Sequence, residues 1–74
     1  MISTDDVEKV LDYLITRFNE GNVYNKNKYI SHDLDIPVHR VVRIVEQEIP
    51  KHVVMEKYSG HTFKVKGVKN DKQT

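Results

Sequence analysis

Seventy-four residues make one small domain, and a chain of this size buries only about 60% of the surface it exposes when unfolded. Hydrophobic residues at 38%, charged residues at 31% and a net charge of +1 describe an ordinary globule rather than a disordered, collagenous or membrane-spanning chain. The absence of cysteine excludes a disulfide framework, a thiolate metal site and a cysteine nucleophile. The acidic start, Asp5-Asp6, reads as neither signal nor transit peptide, so the expected location is the cytoplasm.

Charge is distributed unevenly. Residues 1–22 set Asp5, Asp6, Asp12, Glu8 and Glu20 against Lys9 and Arg17, for a net −3. Residues 49–74 set Lys51, Lys57, Lys64, Lys66, Lys69 and Lys72 against Glu56 and Asp71, for a net +4. Such a split suggests one anion-facing side.

In chain order, Ser3 with Asp6 three positions on makes a capping-box-like start. Val7, Val10, Leu11, Leu14, Ile15 and Phe18 then recur at steps of three and four, predicting a helix over residues 4–20 that Gly21 stops. Tyr13 falls off that stripe and is expected at the surface, where with Ile2 and Tyr24 or Tyr58 it could form a homodimer or partner surface. After an extended Val23-Tyr24, Asn25 is placed to cap a helix from Lys26 to Leu34, with Ile30 and Leu34 buried. Asp35-Ile36-Pro37 breaks the chain: residues before proline avoid the helical region, and aspartate tolerates a left-handed turn. A third helix is expected from Pro37 or Val38 to Glu48, with Val41, Val42, Val45 and Ile49 inward and His39, Arg40, Arg43 and Gln47 outward.

Beyond Pro50 the period changes from 3.6 to 2. Residues 53–58 and 62–66 flank Ser59-Gly60-His61 and predict a β-hairpin with two possible registers. A two-residue Ser59-Gly60 turn groups Val54, Tyr58, Phe63 and Val65, opposite Lys57, Lys64 and Lys66; a three-residue turn groups Val53, Met55, Phe63 and Val65. Residues 67–74 lack periodicity and are expected to form a flexible basic tail after a single domain spanning 1–66.

Helix, extended piece, helix, tight turn, helix and hairpin is the element order of a winged helix-turn-helix, an α+β fold. The chain resembles that family over residues 5–66. Within it, Tyr24-Asn25-Lys26-Asn27-Lys28-Tyr29-Ile30 is similar to a Tyr-x-Lys-x-Lys-aromatic-Ile segment of small, largely uncharacterised archaeal winged-helix proteins. The resemblance implies binding of double-stranded DNA, with the third helix in the major groove and the wing beside it, as in a transcriptional regulator or chromosome-associated protein. It departs from the family at Asp35, an acidic residue where many members carry a turn glycine.

On that reading Arg40 and Arg43 are candidates for bidentate guanine contacts, with His39 and Gln47 beside them. The plain alternative is a solvated helix face with Arg43 paired to Glu46 or Gln47. Lys26 and Lys28 at the opening of the second helix suit a phosphate. Lys57, Lys64 and Lys66 either track the DNA backbone or serve only to discourage edge aggregation. A protein-interaction module docking into a larger assembly, or an RNA-binding domain, would use the same scaffold.

No catalytic role is expected. His32, His39, His52 and His61 are 7, 13 and 9 residues apart, without metal-ligand spacing. Ser31-His32-Asp33 are the residue types of a triad, but helical neighbours point about 100° apart and cannot align. Neither a metal nor a cofactor is implied.

Overall fold

The computed structural model describes residues 4–60 and 62–69. The elements are α1 (Thr4–Asn19), β1 (Tyr24–Lys26), α2 (Asn27–Leu34), α3 (Val38–Gln47), a 3-10 turn (Ile49–Lys51), β2 (Val53–Ser59) and β3 (Thr62–Val68). The result is an α+β arrangement with three helices and a three-stranded antiparallel sheet in the order β1-β3-β2, compatible with a winged-helix arrangement. Among the described residues no helix is long and apolar enough to cross a membrane.

The apolar stripe of α1 turns inward as its spacing requires. Val10 and Leu14 are wholly buried, and Val7, Leu11, Ile15 and Phe18 pack around them. Asp5 and Asp6 in the first turn complement the helix dipole. At the other end Gly21 adopts φ +91°, Asn22 N–H donates to the Arg17 carbonyl and Gly21 N–H to that of Phe18, the paired bonds of a Schellman stop. The expected Ser3 cap lies outside the described residues.

The second helix begins differently from the expectation. Asn25 does not cap it; it lies in the middle of β1, opposite Phe63, and is 3% exposed. Lys26 occupies the cap position in extended conformation without a side-chain bond. The three residues of β1 are diverted from the helix because β3 supplies a partner for their backbone groups, and an unpaired buried N–H or C=O is costly.

The α2–α3 turn matches its reading. Asp35 is left-handed (φ 57°, ψ 44°), and its N–H and that of Ile36 both donate to the Ser31 carbonyl. The Ser31 hydroxyl closes the turn by donating to the Ile36 carbonyl. In α3 the inward residues are Val41, Ile44 and Val45; Val42 sits half-buried on the flank, so the stripe is rotated towards Ile44 relative to the expectation.

The hairpin takes neither simple turn. Ser59 pairs with Thr62, Lys57 with Phe63, Glu56 with Lys64 and Met55 with Val65, and a bulge between Lys57 and Ser59 leaves Tyr58 as the extra residue. The bulge produces the face expected of the longer turn: Val53, Phe63 and Val65 are buried and Met55 packs against them. A second bulge separates Val54 from Met55. His61 lies outside the described residues.

The domain also extends past residue 66. Gly67 and Val68 belong to β3, Lys69 N–H donates to the His52 carbonyl at 2.8 Å, and Lys69 Nζ donates to the Pro50 carbonyl at 2.7 Å. The expected tail therefore loses its first three residues to the sheet and the turn before it, and residues 70–74 lie outside the described residues.

The left-handed turn gives a direct test. Asp35→Val places a β-branched residue at positive φ and is expected to lower stability by about 1–2 kcal/mol, while Asp35→Gly holds it at or above the wild-type level, as read by urea unfolding.

Candidate nucleic-acid interface

The basic residues divide between two surfaces. One is the exposed side of α3. His39, Arg40, Arg43 and Gln47 all project from it into solvent. Its margins are neutralised by ion pairs. On the α1 side Arg40 Nη1 lies 3.1 Å from Asp6 Oδ2, and on the hairpin side Lys57 Nζ lies 3.9 Å from Glu46 Oε2. Glu46 is thus turned to Lys57, and the alternative pairing of Arg43 with Glu46 is not formed. Arg43, between the two pairs, has no ion pair among the described residues.

The other surface is the outer face of the sheet. Asn25, Phe63, Val65, Val53, Met55 and Lys57 point towards the helices; Tyr24, Lys26, Thr62, Lys64, Lys66, Val54, Glu56 and Tyr58 point away from them. Lys57 is therefore separated from Lys64 and Lys66 by the thickness of the sheet, and the three do not form the one charged wing face that the shorter turn would have produced. Lys66 Nζ lies 3.7 Å from Glu56 Oε1. Lys64 Nζ sits 5.7 Å from the centre of the Tyr24 ring, within cation–π range. The Tyr24 and Tyr58 rings meet edge to face at 5.3 Å, with their hydroxyl oxygens 3.4 Å apart. That contact holds the Tyr58 phenol above its ordinary pKa.

A groove of about 370 Å³ continues from this face between α1 and α2, with Tyr13, Arg17, Tyr24, Lys26, Tyr29 and Asp33 on its walls. Arg17 organises it: Nε donates to Asn25 Oδ1 at 2.7 Å, Nη2 donates to the Tyr24 carbonyl at 3.1 Å, and the guanidinium lies 5.6 Å from the Tyr13 ring centre. Lys26 and Lys28 flank the Tyr29 ring at 5.8 and 5.7 Å. Tyr13 is not the free surface aromatic that its place off the stripe suggested. It is half-buried and packed on the core, and its hydroxyl donates to Asp33 Oδ2 at 2.6 Å. Burial, followed by this bond, raises the Tyr13 phenol; the same bond holds the Asp33 carboxyl below its ordinary value.

Sequence reading located the basic residues but missed their partners. The Arg17–Asn25, Tyr13–Asp33 and Asp6–Arg40 contacts join residues 8, 20 and 34 positions apart, beyond any helical or strand periodicity. The alternation of Tyr24 and Lys26 around Asn25, like that of Lys64 and Lys66 around Val65, is a signal for an outer sheet face. In Ser31-His32-Asp33 the His32 Nδ1 lies 3.6 Å from Asp33 Oδ1, while the serine hydroxyl donates to the Ile36 carbonyl and Asp33 Oδ2 accepts from Tyr13. Among the described residues no group of three or more histidines and carboxylates is placed to hold a metal ion.

Because Tyr13 stabilises ionised Asp33, folding stability linked to this carboxyl is present above its unfolded value of 3.8 and lost as pH falls through the lower folded value. Tyr13→Phe is expected to move the Asp33 carboxyl upwards in an NMR titration and to shallow the acid limb of the stability curve. An unmoved carboxyl would show that the bond does not persist in solution.

Comparison with protein-family models, curated proteins and solved structures finds no match to this chain.

Proposed function

We propose that this chain is a winged helix-turn-helix domain that binds duplex DNA without catalysis, through α3, as a transcriptional regulator or chromosome-associated protein. The observation that carries this reading is Arg43. It stands exposed at the centre of a projecting helix face, between His39 and Gln47, with no ion pair among the described residues, while the charges on either side are already matched. Arginine's planar fork suits bidentate contact with guanine O6 and N7. The ten residues of α3 span about 15 Å at the helical rise, enough to lie within a major groove about 12 Å wide. The order α1, β1, α2, α3, hairpin and the strand order β1-β3-β2 support the family assignment.

The reading assigns Arg43 the largest base contact, with His39 and Gln47 flanking it. Arg40 becomes a phosphate contact only at the expense of its pair with Asp6, and Lys57 only at the expense of Glu46. Lys26, Lys28 and Lys64 lie against tyrosines and Lys66 against Glu56, away from this helix face, and they do not contribute to base recognition.

Fluorescence anisotropy on a mixed-sequence duplex of about 20 base pairs, at about 50 and 200 mM salt, tests the reading. Binding should weaken steeply with salt, and Arg43→Ala should cost about 1–3 kcal/mol on a preferred site. Asp6→Asn, which releases Arg40, should strengthen binding and steepen the slope of log affinity against log salt by about 1. Unchanged affinity in Arg43→Ala would overturn the assignment of α3.

A further inference from the structure

We infer that the outer face of the sheet is a second binding surface, for single-stranded nucleic acid. This inference does not rest on the duplex reading, because it uses a different face and different residues. Tyr24 and Tyr58 are 49% and 57% exposed, far more than Phe63 at 2%, which belongs to the core, and their rings touch each other. Tyr29 is 54% exposed at the mouth of the adjoining groove. Two of these rings, Tyr24 and Tyr29, have cations against them. Lys64 lies over Tyr24, Lys26 and Lys28 flank Tyr29, and Lys66 stands on the same sheet face.

Charge complementarity selects the occupant. Lys26, Lys28 and Lys64 have no ion pairs among the described residues. The two carboxylates nearby are already engaged, Glu56 by Lys66 and Asp33 by Tyr13. An anionic chain therefore meets lysines whose charge is not cancelled. A simple polyanion would use the lysines and ignore the rings; an apolar peptide would use the rings and leave the lysines unmatched. A polymer that alternates flat bases with phosphates uses both. Open sheets with exposed aromatic side chains are a known platform for stacking unpaired bases. In a duplex the base faces are already stacked on one another and are not available to tyrosines, which restricts the ligand to single strands.

The outer face and groove are continuous through Tyr24, which belongs to both. A strand crossing the sheet would stack one base on the Tyr24–Tyr58 pair, with Lys64 beside it, and place the next beside Tyr29, with Lys26 and Lys28 at the exit. Arg17 holds the strand's floor from below, through its bonds to Asn25 and the Tyr24 carbonyl, and takes no phosphate itself.

The full chain is tested with fluorescein-labelled oligo-dT and oligo-U of about 15 nucleotides, a length within the span of single-strand binders. Binding of either supports the surface, and their ratio distinguishes DNA from RNA as the source. Tyr24→Ala and Tyr58→Ala should each weaken binding roughly 5-fold or more, the scale of one lost base–aromatic stack. Tyr24→Phe with Tyr58→Phe should retain it, which separates loss of stacking from loss of fold. Arg43→Ala should leave single-strand affinity unchanged, so failure here and failure of the α3 reading are distinguishable. In the wild-type chain, NMR signals of the Tyr24 and Tyr58 rings should shift on adding oligo-dT and stay in place on adding heparin, a polyanion without bases. Rings that stay in place with both oligomers, or alanine variants that fold and bind as tightly as wild type, would overturn the inference. So would equal ring shifts with poly-glutamate, which would assign the face to an acidic protein, or self-association through the same rings, which would assign it to a second copy of the chain.

Discussion

Pairing of β1 with β3 is the contact on which the outer sheet face and its groove depend. Three residues lying between two helices bond to a strand nearly forty positions further on, Tyr24 opposite Lys64 and Lys26 opposite Thr62. The pairing sends Asn25 inward and its two neighbours outward, since successive strand residues alternate between faces. A buried asparagine in that position is tolerable only if its amide is satisfied. Arg17 donates to its oxygen, and its nitrogen donates to the Val23 carbonyl. Without those partners, burying the amide would cost roughly 1–3 kcal/mol. The same arginine ties the end of α1 to the sheet and shapes the groove floor, so one polar contact links the fold to the tyrosine face.

The hairpin shows which forces choose a register. Val53, Phe63 and Val65 are each removed from water almost completely, and a buried apolar side chain of that kind contributes roughly 1.5–3 kcal/mol. The ion pairs of the same region, Lys57–Glu46 and Lys66–Glu56, join side chains at least half exposed, where such pairs contribute about 0–1 kcal/mol. Apolar burial therefore decides the alignment, and the bulge at Tyr58 reconciles it with a tight tip. The lysines follow: Lys57 is carried to the helix side, while Lys64 and Lys66 are carried to the outer side.

That partition gives the domain two differently built polar faces. On α3 the charges are mostly matched, leaving a narrow window of His39, Arg43 and Gln47 suited to reading a surface at one point. On the sheet the rings are exposed and Lys26 and Lys64 have no ion pair among the described residues, which suits an extended anionic chain better than a single point of recognition. The two faces are joined by the core between them, chiefly Ile30, Ile44, Phe63 and Val65, so a core substitution would affect both while a surface substitution affects only its own.

Local features were legible in the sequence because local physics produces them. The α1 stripe, the Gly21 stop, the left-handed Asp35, the projecting side of α3 and the existence of a hairpin each depend on residues within a turn or two of one another. Candidate basic residues were legible for the same reason, as exposed cations on predicted elements. What the tertiary structure alone decided was everything set by distant partners: that Asn25 lies in a strand rather than a cap, that Gly67 to Lys69 join the fold, that Tyr13 is held by Asp33, and that Lys57 parts company with Lys64. Periodicity specifies which side chains share a face of one element. Which neighbour that face meets depends on strand pairing and core packing across the chain, and those are satisfied only when the whole domain closes.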